Sequence, residues 1–207
     1  MNFLRDPKAI YARSFEVIRA EADLSHLPAT ARGIAVRIIH ACGMTDIAGD
    51  LRITPDFAGA ALAALQAGKP IIVDCEMLRH GIIARQLPKG VEIVCTLNDP
   101  RAREIGVAIQ TTRSAAAVEL WAPLLGGAVV VIGNAPTALF ALLEAIDKGP
   151  TKPAAIAGFP VGFVGAVQSK DELIRNPRGI AYATLTGRRG GSAMAAAVIN
   201  ALTGDNA

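Results

Sequence analysis

The stretch that decides the fold is residues 128–149, which read AVVVIGNAPTALFALLEAIDKG. Residues 129–132 form a short, continuous apolar run, which is typical of a strand covered on both faces. Pro136 suits the first position of a helix, because the N–H that proline lacks has no helical partner there. Apolar residues then recur at helical spacing up to Gly149, a stop signal. The stretch predicts a strand, a tight turn at 133–137 and a helix, and the turn presents backbone N–H groups beyond the strand.

The same alternation extends along the whole chain. Helical periodicity occurs at 7–22, 30–42, 55–67, 136–148 and 192–203, with shorter helical stretches near 99–108, 113–121 and 169–175. Strand-like apolar runs occur at 70–74, 91–96, 128–132, 154–158 and 180–185. Alternating strands and helices favour a mainly parallel sheet with helices on both faces. We therefore predict an α/β fold, a three-layer doubly wound single domain over residues 1–207, with its ligand beyond the carboxyl ends of the strands.

Composition excludes several classes of function. The net charge of +3 is mild, and no basic run interleaved with aromatic residues is present, so we expect no nucleic-acid partner. The three cysteines and three histidines are scattered and form no CxxC pair, so neither a disulfide framework nor a metal site is expected. The N-terminus reads as an amphipathic helix rather than a signal peptide, so we expect a reduced, cytoplasmic setting.

Two further patterns bear on membranes and nucleotides. Residues 122–143 carry no charge and are long enough to span a bilayer, but the glycines and the 133–137 turn interrupt them. A buried strand followed by a half-buried helix explains them better, and we expect no membrane partner. The G-x-G-x-x-G and GxxxxGK[ST] fingerprints are both absent, so no nucleotide cofactor is expected. The N–H groups of the glycine-rich turns remain available to a carboxylate.

His40 lies in a helical pattern that sets it apart from the core. On a helix of about 100° per residue, Ile34, Ile38 and Ile39 cluster on one side of residues 31–43. Arg37 and His40 share the opposite side. His40 therefore faces solvent, a cleft or a partner chain, beside a permanent cation, and such a histidine is a candidate proton donor near neutral pH.

Two more sites combine arginine with a helix start. Thr112 is a plausible N-cap with Arg113 in the first turn, where a cation opposes the helix dipole. In GRRGGSAMAAAVINAL (187–202), two arginines and two glycines precede Ser192, which we expect to cap an Ala-rich helix. Together with Arg37, these sites suggest a ligand that carries several carboxylates.

These stretches resemble the precorrin-8X methylmutase family of corrin biosynthesis. The resemblance covers nearly the whole chain, in the family's order, and its motifs are RSFEVIRAEA, AVRIIHACG, TRSAAA, VVIGNAPTALFALLE, KPAAIAGFPVGFVGAVQSKDEL and GRRGGSAMAAAVINAL. It implies a flavodoxin-like fold, a homodimer and two active sites that involve both subunits. The implied reaction moves a methyl group from ring carbon 11 to ring carbon 12 of precorrin-8X and gives hydrogenobyrinate, with no cofactor.

The resemblance also implies roles for individual residues. The family's histidine falls on His40, as the proton donor or acceptor to the ring system. Further motif positions are implied at the substrate, and these are Ser14, Arg37, Arg113, Ser114, Asn134, Thr137, Lys170 and Ser192. The chain departs from the family at Ile83, where threonine is common, and local contacts or product affinity are expected to differ there.

Three alternatives remain open at this point. A cobalt-precorrin-8 methylmutase of the anaerobic branch would act on a cobalt-containing ring, although the motifs are closer to the cobalt-free branch. A non-enzymatic tetrapyrrole carrier would need the carboxylate contacts but not His40. A nucleotide-binding regulatory domain would be stabilised by a dinucleotide, and the absent fingerprint disfavours it.

Overall fold

One six-stranded sheet organises the chain. The computed structural model describes residues 3–204. The strands are β1 (Leu51–Ile53), β2 (Ile71–Val73), β3 (Ile93–Cys95), β4 (Val129–Ile132), β5 (Ala155–Gly158) and β6 (Ala181–Leu185). The helices are α1 (Pro7–Glu21), α2 (Ala29–Cys42), α3 (Phe57–Gln66), α4 (Glu76–Gly81), α5 (Pro100–Ala108), α6 (Arg113–Glu119), α7 (Pro136–Lys148), α8 (Ala166–Arg175) and α9 (Ser192–Thr203). Two 3₁₀ turns, at Thr45–Asp50 and Ala84–Gln86, complete the elements.

The strand order confirms the predicted doubly wound topology. Across the sheet the order is β1-β6-β5-β4-β2-β3, and every pair is parallel except β1 with β6. Without β1, the order of the parallel strands is β3-β2-β4-β5-β6. This is the flavodoxin order, in which the second strand lies on one side of the first and the remaining three lie on the other side. The direction of winding therefore reverses between β2 and β4. Ligands of such sheets bind beyond the carboxyl ends of the strands at that point.

The sheet separates two apolar layers. On one face, α1, α2, α3, α4 and α9 pack over alternate strand residues such as Val129 and Val131. On the other face, Trp121 and helices α6, α7 and α8 pack over the intervening residues, such as Val130 and Ile132. All four residues of β4 are fully buried, as the continuous apolar run predicts for a strand covered on both faces.

Most predicted elements lie within a few residues of their observed bounds, but one strand, one α-helix and both 3₁₀ turns were missed. The edge strand β1 has only three residues and includes the exposed Arg52, so it lacks a recognisable apolar run. Helix α4 has six residues and ends in glycine, which is too short for helical periodicity to register. Residues 122–143, considered above as a possible membrane span, contain β4 and the first part of α7. None of the described helices is long and apolar enough to cross a bilayer.

Candidate active site

His40 lies near the end of α2, on the side that faces away from the sheet, as the sequence predicts. Ile34, Ile38 and Ile39 of the same helix are buried in the core, whereas His40 is half-buried. The hydroxyl oxygen of Ser14, on α1, lies 2.8 Å from its Nδ1. The other ring nitrogen, Nε2, has no hydrogen-bond partner among residues 3–204. Ser14 thus fixes one side of the imidazole, and the opposite nitrogen remains available for proton transfer.

Two aromatic rings of α1 hold the imidazole in place. The ring of Tyr11 lies 5.2 Å from the His40 ring, and the ring of Phe15 meets it edge-on at 5.3 Å. Both distances fall in the range of favourable aromatic pairs. The Arg37 guanidinium carbon lies 5.7 Å from the Tyr11 ring centre and 5.9 Å from that of Phe15, so a cation is held beside the imidazole.

The surroundings of His40 favour its neutral form. Partial burial lowers the pKa of the imidazole below its ordinary value of 6.5, and the charge of Arg37 lowers it further. A neutral imidazole with one fixed nitrogen can take up a proton and return it. Its protonated form is in turn a stronger acid than a free histidine.

A cleft of about 270 Å³ lies against His40. Its walls come from α1, α2, the end of α4 and α9, and include Tyr11, Arg37, Ile83, Ala193, Ala197 and Asn200. The small side chains of α9 leave room for a flat apolar group, and Arg37 contributes a permanent charge at its margin. Ile83, which stands where threonine is common in the resembled family, is therefore placed beside His40.

Asn200 fixes the wall that carries Ile83. Its side-chain carbonyl accepts the Ile83 N–H at 2.8 Å, and its amide donates to the Gly81 carbonyl at 3.0 Å. Gly81 also lies so close to α9 that an added Cβ would come within 2.9 Å of the Ala196 Cβ. A buried asparagine and a glycine contact therefore set the distance between α4 and α9, and with it the width of the cleft.

The turn after β4 corrects an expectation. Its N–H groups do not remain free for a ligand, because the Asp74 carboxylate accepts those of Gly133, Asn134 and Ala135 at 2.8–2.9 Å. Asp74 follows β2, so its carboxylate bridges the two strands at the point where the winding reverses. Burial raises the pKa of the Asp74 carboxyl above its ordinary value, whereas the three N–H groups act to lower it. The turn thus binds a carboxylate of the protein itself.

Four of the predicted substrate residues lie apart from His40. Thr137 accepts a hydrogen bond from Thr112 at 2.9 Å, so the start of α6, with Arg113 and Ser114, lies beside the start of α7. Thr112 caps α6 as predicted, through the Ala115 N–H. Helices α6 and α7 pack on the face of the sheet opposite to α2. Arg113 and Thr137, which are exposed, thus lie on the layer opposite to His40, whereas Asn134 is exposed in the turn between β4 and α7.

Lys170 and Ser192 are buried in the chain. The Lys170 ammonium donates to the Arg189 carbonyl at 2.6 Å, and burial lowers its pKa to about 8. Ser192 is the first residue of α9 rather than its cap, which is Gly191, and its hydroxyl lies 3.3 Å from the Cys75 sulfur. Neither side chain presents surface to a ligand in one chain, so their substrate contacts stay predictions.

Comparison with known proteins shows the family of the chain. A family model described as Precorrin-8X methylmutase matches residues 9–204. The chain belongs to the precorrin-8X methylmutase family. The family is one of isomerases, so this chain is an enzyme. A precorrin-8X methylmutase from Sinorhizobium sp is 53% identical over 201 residues, which cover 97% of this chain and 96% of that protein.

Two further methylmutases bear on branch and fold. A cobalt-precorrin-8 methylmutase from Salmonella typhimurium is 35% identical over 209 residues, covering 98% of this chain and 97% of that protein. The solved structure of precorrin-8X methylmutase from Thermus thermophilus superposes with a TM-score of 0.85 at 35% identity, covering 95% of this chain and 94% of that one. The chain is thus more similar to the relative named precorrin-8X methylmutase than to the one named cobalt-precorrin-8 methylmutase.

Two polar residues that fix the turn after β4 and the wall of the cleft, Asp74 and Asn200, were not predicted from the sequence. Asp74 stands at the end of the apolar run that predicts β2. The backbone N–H groups that it binds lie 59 to 61 positions later in the sequence. Asn200 stands in an Ala-rich helix, 117 positions from Ile83. Two signals could have indicated these residues. Asp74 is an acidic residue directly after a central strand, and Asn200 is a single amide on an otherwise apolar helix face.

Proposed function

We propose that the protein converts precorrin-8X to hydrogenobyrinate by moving one methyl group from ring carbon 11 to ring carbon 12. The observation that carries the proposal is His40, fixed by Ser14 on one nitrogen, framed by two aromatic rings and open to a cleft on the other side. The family and the Sinorhizobium relative support the same reaction. The migration leaves the oxidation state of the ring unchanged, so it requires no redox partner.

His40 acts on the ring rather than on the methyl group. Protonation close to the receiving ring selects the tautomer from which a 1,5-sigmatropic migration proceeds, and the proton returns to His40 as the product tautomer forms. Ser14 holds Nδ1, so proton transfer takes place at Nε2. The cleft contributes by holding the macrocycle in the reactive conformer. Ser14 is therefore proposed as a positioning residue for the imidazole.

The macrocycle has an apolar face and a rim of carboxylate side chains, and the chain offers surfaces for both. Ala193, Ala197 and Ile83 suit the face, and Arg37 suits the rim. Arg113, with Ser114 and Thr137, lies on the opposite layer of the same chain. We therefore propose a homodimer in which one protomer supplies His40 and its partner supplies Arg113.

We also propose the cobalt-free substrate, a single functional domain over residues 1–207 and a cytoplasmic location. The higher identity to the relative named precorrin-8X methylmutase supports the substrate. The continuous sheet through residues 51–185 supports the single domain. The three cysteines are free thiols, which suits a reducing compartment.

Single-turnover absorption spectra test the reaction. His40→Ala should bind hydrogenobyrinate as the unaltered protein does, but convert precorrin-8X about 10²–10⁴-fold more slowly, which is the usual contribution of a general acid–base group. His80→Ala is the matched control, because the His80 side chain is 81% exposed on α4. Conversion by His40→Ala at the unaltered rate would refute proton transfer. Incubation with the cobalt-containing ring in parallel separates the two branches, and binding without any conversion would favour a carrier.

A further inference from the structure

A second cavity, of about 250 Å³, lies beside the cleft at His40. Three arginines from three different elements line it: Arg19 from α1, Arg37 from α2 and Arg85 from the 3₁₀ turn after α4. Among residues 3–204, no aspartate or glutamate lines this cavity. The concentration of one sign of charge in a concave site raises the local electrostatic potential and attracts anions.

These three guanidinium groups have no carboxylate partner in the part of the chain that the structure describes. Several other arginines do, with carboxylate oxygens within 4.0 Å; they include Arg13, Arg101, Arg178 and Arg189. The three converging arginines therefore keep their hydrogen-bond donors for another group. A guanidinium presents a planar fork of donors that matches a carboxylate.

An aromatic ring holds two of the three cations on one wall. The guanidinium carbon of Arg19 lies 5.8 Å from the Phe15 ring centre, and that of Arg37 lies 5.9 Å from it. Phe15 also contacts the His40 ring, so the positions of both cations are tied to that of the imidazole. Less side-chain freedom is lost when such pre-positioned arginines bind a ligand.

The two cavities are continuous. Tyr11, Arg37, Ile83 and Asn200 line both of them. A ring whose apolar face lies in the cleft at His40 would therefore extend its rim into the neighbouring cavity. The rim of the substrate carries carboxylates, and the cavity carries unpaired arginines.

We propose that Arg19, Arg37 and Arg85 form an arginine pocket that binds carboxylate side chains along one edge of the macrocycle and so sets its orientation against His40. The proposal rests on the proposed function and extends it to Arg19 and Arg85, which neither the motifs nor the resemblance singled out. The two residues are specificity determinants: they bind substrate and product, and the proton transfer itself belongs to His40.

The experiment compares Arg19→Gln/Arg85→Gln with Arg13→Gln. Arg13 is the control because it is an exposed residue of α1 as Arg19 is, but it is paired with Glu16 and does not line the cavity. Hydrogenobyrinate is titrated into each protein by absorption, at low and at raised salt. Each lost charge-assisted contact should weaken binding about tenfold, so the double variant should bind roughly 100-fold more weakly. Its affinity should also depend less on salt.

A second ligand separates carboxylate binding from other effects. Methyl esterification of the product removes the charges that the pocket binds, so it should weaken binding to Arg13→Gln more than to the double variant. Equal losses in both proteins, or an unchanged affinity of the double variant for the free acid, would overturn the proposal. Loss of self-association by the double variant in sedimentation, with the affinity per chain preserved, would overturn it too, because the arginines would then bind a second copy.

Failure of the proposed function gives a different result. If the unaltered protein binds the product through these arginines but does not convert precorrin-8X, the isomerase assignment fails and the pocket stands. If it converts the substrate and the double variant does so with unchanged KM, the pocket fails and the reaction stands. Arg19 and Arg85 are exposed side chains, so the substitutions leave the core intact, and circular dichroism verifies this.

Discussion

Asp74→Asn is the substitution whose effect follows most directly from the geometry after β4. The carboxylate accepts three backbone N–H groups, that of Gly133 on one oxygen and those of Asn134 and Ala135 on the other. Asparagine offers one oxygen, which can keep two of these bonds. Its NH₂ group would then face the buried N–H of Gly133, donor against donor.

The expected decrease in the free energy of unfolding follows from those contacts. One charge-assisted hydrogen bond is lost, about 1.5–3 kcal/mol, and a buried donor is left without a partner, about 1–3 kcal/mol. Relief of the desolvation that raises the pKa of Asp74 offsets part of this loss. We expect a net decrease of about 2–4 kcal/mol in the free energy of unfolding, which lowers the Tm of a chain of this size by roughly 5–15 °C.

Urea denaturation and thermal unfolding followed by circular dichroism measure this loss. Asp56→Asn is the control, because Asp56 precedes α3, is exposed and makes no capping hydrogen bond with its side chain. Equal stability of the two variants would refute the claim that the carboxylate fixes the turn. A stability loss accompanied by unchanged product binding would show that the turn supports the fold alone.

Three further predictions concern charge. Arg37→Gln removes the cation that helps to lower the pKa of His40, so this pKa should rise when it is measured by NMR in the free protein. An unchanged His40 pKa in the variant would mean that burial alone lowers it. Arg113→Ala should weaken hydrogenobyrinate binding by roughly ten- to a hundred-fold, the cost of one charge-assisted contact, and unchanged affinity at low salt would place Arg113 outside the site. Burial lowers the pKa of Lys170 from its ordinary value of 10.5 to about 8 in the folded chain. The unfolded chain therefore binds more protons than the folded chain between these two values, and stability should rise with pH there. Lys170→Met should remove that part of the rise in urea denaturation at a series of pH values, and an identical pH dependence in both proteins would contradict the lowered pKa.

The sequence predicts the parts of this structure that depend on local periodicity. His40 and Arg37 could be set opposite Ile34 and Ile38 because helical geometry alone fixes that relation. The continuous apolar run of β4 likewise predicts burial on both faces. These features need no knowledge of what the helix or strand packs against.

The features that were missed depend on contacts between distant residues. The N–H groups of the 133–137 turn were expected to remain free, but their partner, Asp74, follows another strand some 60 residues earlier. Asn200 and Ile83 are joined across 117 positions. The arginine pocket draws on three elements, one of which is a 3₁₀ turn with no periodic pattern. Contacts between such distant residues depend on the order of strands in the sheet, and a local sequence pattern does not reveal that order.

The late position of α9 in the sequence affects how the protein folds during its synthesis. This helix forms a wall of the cleft at His40 and also covers the buried residues of α2, although α2 ends at Cys42 and α9 begins only at Ser192. Strand β1 pairs with β6, the last strand within residues 3–204. During synthesis, the apolar side of α2 therefore emerges from the ribosome long before its cover does, a state in which exposed apolar surface favours aggregation. The cleft at His40 takes shape only when α9 has left the exit tunnel, so release of the nascent chain before that point yields a protein without the site.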